Sequence, residues 1–131
     1  FDLDHFKKYN DRHGHLAGNE ALQMVSRTIR ACLRAVDVPA RYGGEEFAAI
    51  VPQTDPDALH AVAERIRASV ETLPSLHDRS SLTVSIGGAL FPGDGATPAE
   101  LFAAADSRLY EAKAAGRNRV VIPEAAFVLR D

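Results

Sequence analysis

The chain of 131 residues fits one domain, and with 46% hydrophobic residues it can bury a continuous core. Its formal net charge of −3, from 15 basic and 18 acidic residues, excludes a broad positive surface for nucleic acid, so any phosphate ligand must be held by local groups or metal. No apolar run approaches the roughly 18 residues that cross a bilayer, and one cysteine, Cys32, cannot form an internal disulfide; the segment is expected to make no membrane contact and to work in a reducing cytoplasm, even if the full-length protein is membrane-anchored.

Residues 1–4 read as the end of a strand with nothing before it, which suggests a fragment of a longer chain. Residues 5–12 could form a short helix closed by a turn at Gly14. Across residues 19–36, Leu22, Val25, Ile29, Leu33 and Val36 recur at spacings of three and four, one face of an amphipathic helix that also takes Cys32 into the core. A short segment up to Tyr42 and the run 46–51 then suit two strands joined by a two-residue glycine turn at Gly43-Gly44. Asp55-Pro56 offers an N-cap and a first-turn proline for a helix whose stripe is Leu59, Val62, Ile66, Val70 and Leu73. Residues 82–87 alternate with period two as a strand, and Gly87 and Gly88 would admit another backbone or a ligand. Thr97-Pro98-Ala99-Glu100 is a capping box opening a helix that runs to Gly116, and residues 119–122 read as a last strand. The interleaved order predicts an α/β (α+β sandwich) fold, a mixed sheet flanked by helices.

Two sets of carboxylates invite a chemical reading. Glu45 and Glu46 follow the paired glycines, and neighbouring strand residues point to opposite faces, so at most one of them faces a given site. Asp2 and Asp4 share one face of their strand end. A carboxylate from each of two neighbouring strands is what a hard, oxygen-loving Mg²⁺ requires beside a nucleotide triphosphate, although surface acids and a solvated hairpin tip are equally open on spacing alone. His13 and His15 stand two apart with no cysteine nearby, so no zinc site is expected.

Together these segments resemble the GGDEF family of diguanylate cyclases. The signature stands here as Arg41-Tyr42-Gly43-Gly44-Glu45-Glu46-Phe47, a variant with glutamate at its third position. Also similar are Asp2-Leu3-Asp4-His5-Phe6-Lys7, Asn10-Asp11, Gly14-His15-Leu16-Ala17-Gly18, Thr83-Val84-Ser85-Ile86-Gly87, Ala105-Asp106, Leu109-Tyr110, and Ala112-Lys113 with Gly116-Arg117-Asn118. The resemblance runs from residue 2 to about residue 122. It implies a mainly antiparallel sheet of the palm type shared with adenylyl cyclases and polymerases (ferredoxin-like), with the strand ending at Asp2 beside the hairpin carrying Glu45. It also implies a catalytic domain over residues 1–124, lacking its N-terminal helix and most of the first strand, followed by a tail at 125–131.

Carried over position by position, the resemblance implies that Asp2 and Glu45 hold Mg²⁺, or Mn²⁺ in its place, with the backbone carbonyl of Leu3 completing the set. Glu45 is also the family's proposed base. Lys7 matches a lysine that stabilises the transition state; Lys113 and Arg117 match contacts to the terminal phosphates. Asn10, His15 and Asn19 match nucleotide-recognition positions, with Gly43 and Gly44 allowing phosphates to approach the hairpin. The implied reaction condenses two GTP into cyclic di-GMP, and because each nucleotide attacks the other, a homodimer is part of the mechanism.

Asn19 departs from the aspartate usual in the family. An amide offers one acceptor and one donor where guanine's edge presents two donors, so a cyclase with relaxed purine specificity is an alternative. Asparagine would equally serve as an N-cap there. Arg34-Ala35-Val36-Asp37 resembles the family's RxxD inhibitory site for the product, with Arg65 as a secondary contact, although an exposed ion pair at a helix end explains the same spacing. A catalytically silent receptor for cyclic di-GMP or GTP is the rival from the binding class. The resemblance further implies an upstream sensory domain in the full chain.

Overall fold

The computed structural model describes residues 1–73 and 82–124; the tail expected at 125–131 lies outside them. In chain order the elements are β1 (Asp2–Leu3), α1 (Phe6–His13), α2 (His15–Cys32), β2 (Val38–Arg41), β3 (Phe47–Ile50), α3 (Pro56–Glu71), β4 (Val84–Gly87), α4 (Pro98–Ala114) and β5 (Val120–Val121).

β1 pairs antiparallel with β4, Asp2 opposite Ser85 and Leu3 opposite Val84. β4 pairs parallel with β5, and β2 antiparallel with β3. An antiparallel bridge between Asp2 and Glu46 joins the two sets, reinforced by Phe47 N–H donating to Phe1 O at 2.9 Å and Leu3 N–H to Glu45 O at 3.4 Å. Hydrogen bonding therefore runs β2-β3-β1-β4-β5, a mixed and mainly antiparallel order as the sequence predicted.

Strand alternation separates the two faces of β4. At Gly87 an added Cβ would lie 2.2 Å from Ala105 O and 2.3 Å from Leu109 N, so only hydrogen lets α4 lie on that face. At Gly88 the same atom would meet Leu59 of α3 and Ile122. Ser85 thus shares the α4 face with Gly87, while Val84 and Ile86 face α3. Val84 and Ile86 form the core with Val25 and Ile29 of α2 and Ile66 and Val70 of α3, all at most 2% exposed. Truncating one of the isoleucines to alanine costs about 2–5 kcal/mol in such a core. Cys32 is buried in the same cluster, as expected.

Three local expectations are corrected. The connection between β2 and β3 is not a two-residue turn: Arg41 pairs with Phe47, so residues 42–46 form the loop, closed by Tyr42 N–H to Glu46 O at 2.7 Å. α2 starts at His15, because Gly14 at φ 90° supplies the break between α1 and α2. Asn19 is therefore one turn inside the helix, not its N-cap. The caps of α3 and α4 form as read, Asp55 accepting from Ala58 N–H and Thr97 from Glu100 N–H, but Glu100 reaches Ala96 N–H, not that of Thr97.

Candidate active site

The register of β1 positions the first carboxylate. Asp2 lies opposite Ser85 and so on the face that α4 covers, where it is 5% exposed. Lys113, in the last turn of α4, forms an ion pair with its Oδ2. The same strand end brings the signature loop alongside, and the Glu45 carboxyl is held above the ordinary carboxylate range, first by burial and then by the charge of Asp2, with Lys113 opposing. Asp2, Glu45, Glu46 and Lys113 thus form one electrostatic cluster.

Two buried side-chain oxygens have no hydrogen-bond partner among the described residues: Asp2 Oδ1 and Asn10 Oδ1. An orphaned buried acceptor costs about 1–3 kcal/mol, a cost that a water, a ligand or an ion completing it relieves. Both fall on residues picked out from the sequence. Asp2 Oδ1 and the Glu45 carboxylate offer two hard oxygens carrying mutually repelling charge, a donor set that suits a divalent cation of the magnesium type. Asn10 offers an acceptor, the complement of a base edge that presents N–H groups.

Asn10 sits on α1 against Gly18 of α2, where an added Cβ would come within 1.7 Å of its Oδ1. His15 is exposed at the first position of α2 and Asn19 is exposed one turn later. Lys7 is exposed in the first turn of α1, directly after the strand end that carries Asp2 and Leu3. Leu3 itself is buried, with its N–H committed to Glu45 O. Gly43 adopts φ 136°, a conformation that side chains rarely adopt, and Gly44 faces open space. Arg41 donates to the carbonyls of both glycines, at 3.3 Å and 2.6 Å, and so fixes the loop that precedes Glu45. Arg117 is exposed in the turn after α4.

Arg34, Asp37 and Arg65 gather at the C-terminal end of α2. Asp37 accepts from Arg34 N–H at 2.7 Å and from its guanidinium at 3.0 Å, which holds the Asp37 carboxyl below its ordinary range. Arg34 also donates to Pro52 O at 2.6 Å and keeps 53% of its side chain exposed. Arg65 donates to Cys32 O at 3.3 Å. The trio is assembled, with Arg34 half-open to solvent.

The sequence reading missed the commitment of Asp4. Its carboxylate accepts from Thr83 and Ser85 hydroxyls and from Asn118 N–H, so both of its oxygens are committed within the fold. Only the alternation of Thr83 and Ser85 opposite an acidic strand end hinted at this.

A family model described as "Diguanylate cyclase, GGDEF domain" matches residues 1–119. The chain is 43% identical over 123 residues to Diguanylate cyclase A of Treponema denticola, covering 92% of this chain and 33% of that protein. It thus spans about a third of that relative. Among solved structures it is similar to the active GGEEF domain of a diguanylate cyclase from Vibrio cholerae, with TM-score 0.86 and 30% identity over 95% of this chain and 80% of that one. The GGDEF domain of DgcB from Caulobacter crescentus in complex with c-di-GMP superimposes with TM-score 0.85 and 35% identity, covering 92% and 73%. With the family model spanning residues 1–119 and these structures alike over more than nine-tenths of the chain, the chain belongs to the GGDEF-domain family of diguanylate cyclases and has its fold.

Proposed function

We propose that this domain is an active diguanylate cyclase that condenses two GTP into cyclic di-GMP with release of two pyrophosphates, and that Asp2 and Glu45 hold the Mg²⁺, or Mn²⁺, that the reaction uses. The observation that carries this reading is the coincidence of both orphaned buried oxygens, Asp2 Oδ1 and Asn10 Oδ1, with the metal and base positions of the family. The relative from Vibrio cholerae described as active carries the GGEEF form of the signature, which supports glutamate at position 45 as competent.

In each half-reaction a ribose 3′-oxygen bonds to the α-phosphorus of the facing GTP, and the bond from that phosphorus to the pyrophosphate oxygen breaks. When bound, a divalent cation would supply neutralisation of phosphate charge and acidification of the attacking hydroxyl. Glu45 takes the hydroxyl proton. Lys7 balances charge developing on the phosphoryl oxygens. Arg117, with Lys113 released from Asp2, binds the terminal phosphates, and the backbone carbonyl of Leu3 joins the two carboxylates. Asn10 accepts from guanine, and His15 and Asn19 lie at the same nucleotide position. Gly43 and Gly44 leave the loop open to phosphate. Because one domain holds one GTP, the active species is a homodimer.

Incubation with GTP, ATP and Mg²⁺ followed by identification of products by mass tests the reading. Cyclic di-GMP should form, and Asp2→Asn or Glu45→Gln should lower the rate by about a thousandfold. Nucleotide binding without turnover would instead make the domain a silent receptor, and a mixed purine product would assign relaxed specificity to Asn19. The exposed Arg34, braced by Asp37 and flanked by Arg65, is proposed as the product's inhibitory site, in keeping with a similar domain solved with c-di-GMP. Arg34→Ala should relieve product inhibition by about tenfold in product concentration, and an unchanged inhibition curve would remove that site from the proposal.

A further inference from the structure

The turn between α4 and β5 has an unusual backbone. Gly116, Arg117 and Asn118 follow one another at φ 122°, 66° and 47°. Arginine and asparagine in the left-handed region persist only where surrounding contacts over-determine them. Those contacts are present, and they converge on Asn118.

The Asn118 N–H donates to Asp4 Oδ2 at 3.0 Å, and its side-chain amide donates to Glu71. Its Oδ1 accepts from Arg67 at 3.0 Å, which also bonds Glu71 at 3.3 Å. Asp4 is 6% exposed and fully engaged: Thr83 Oγ1 donates to Oδ2 at 2.7 Å and Ser85 Oγ to Oδ1 at 2.6 Å. The carboxylate thus ties β4 and the turn to the residue just beyond β1, two positions after Asp2. On the other side of the turn, Gly116 N–H bonds Lys113 O and Arg117 N–H bonds Ala112 O. The one non-glycine residue between these anchors with an exposed cationic side chain is Arg117.

We propose that Asp4, acting through Asn118, is a positioning residue that clamps the left-handed turn 116–118 so that Arg117 is presented, beside Lys113, to the phosphates of the nucleotide. The inference rests on the phosphate role proposed for Arg117. A buried carboxylate suits the task because its oxygens accept in three directions at once, from two hydroxyls and one backbone amide. Asparagine can reproduce the pattern: its carbonyl oxygen replaces Oδ2, and its amide donates to Ser85 Oγ, which then turns to accept.

The test is a mutant cycle in the full chain, read as KM and kcat for GTP, with amide hydrogen exchange at residues 116–118 measured without nucleotide. Asp4→Ala should raise exchange in the turn and raise KM about tenfold while kcat changes less than about threefold, and Asp4→Asn should stay within about threefold of the parent. In an Arg117→Ala background the Asp4→Ala effect on KM should shrink to about twofold or less, since a residue that acts only through Arg117 has nothing left to position. Full additivity, or Asp4→Asn as impaired as Asp4→Ala, overturns the proposal. If Arg117→Ala alone leaves KM unchanged, the phosphate reading falls and the proposal with it. Should Asp4→Ala fail to fold, Asp4→Ser takes its place in the same cycle. Its shorter side chain no longer reaches the Asn118 N–H, with the same non-additivity expected and additivity again decisive against.

Discussion

At the scale of single residues, Gly18 decides how Asn10 is presented. Substituting alanine there would improve helix propensity by about 1 kcal/mol, yet the new Cβ would lie 1.7 Å from Asn10 Oδ1, 2.8 Å from its Cγ and 3.3 Å from the Phe6 ring. The two effects offset in stability, since overpacking costs about 1–3 kcal/mol, but not in function, because the flexible Asn10 side chain is the part that must give way. Gly18→Ala should therefore move Tm by only a few degrees while raising KM for GTP about tenfold. An unchanged KM would show that Asn10 does not meet the base. Residues of this kind were partly legible: Asp2, Asn10 and Glu45 are visible as types in a pattern, whereas Asp4 resembles Asp2 in sequence but commits its carboxylate to Thr83, Ser85 and Asn118 where that of Asp2 meets Lys113. Its partners Ser85 and Asn118 are 81 and 114 positions away, and no local pattern encodes such distances.

Among the elements, α3 and α4 were legible because their caps and apolar stripes are local, and β4 because alternation is local too. The loop 42–46 and the start of α2 were not: register is set by the bridge from Asp2 to Glu46, and Gly14 ends one helix while opening the next. The approach to α4 is likewise fixed by tertiary contact. Arg108, on α4, donates to Asp94 Oδ1 and Oδ2 at 2.8 and 2.9 Å and to Gly88 O at 2.9 Å, while Asp94 accepts from Leu90 N–H at 2.8 Å. The Arg108 hydrogen bonds, followed by that of Leu90, hold the Asp94 carboxyl below its ordinary value of 3.8. A depressed carboxyl contributes stability that is complete above the unfolded-state pKa and is lost as pH falls through the lower folded-state value. Asp94→Ala should therefore cost about 2 kcal/mol at neutral pH, roughly 8 °C in Tm. The difference from the parent should hold steady down to about pH 5 and shrink below about pH 4. Melting curves across that range check it, and a difference that grows in acid would contradict the assignment.

The whole molecule raises a problem that no residue of one chain can solve. In the function proposed for the domain, Asp2, Glu45, Lys113 and Asn10 serve one nucleotide, and a cyclic dinucleotide needs two nucleotides facing each other with each 3′-hydroxyl against the other's α-phosphorus. The site supports this arrangement because its carboxylate cluster lies at the end of β1 beside the exposed loop 42–44, where a second domain can approach without displacing the core. A reaction that requires two domains must slow more than proportionally on dilution. Specific activity should be constant well above the dimer dissociation constant and fall in proportion to protein concentration well below it, at saturating GTP. Activity per mole that stays flat while sedimentation shows monomer would exclude the paired mechanism. Restored activity on joining two domains by a flexible linker would confirm it, since linkage supplies an effective concentration in the range of about 1 mM.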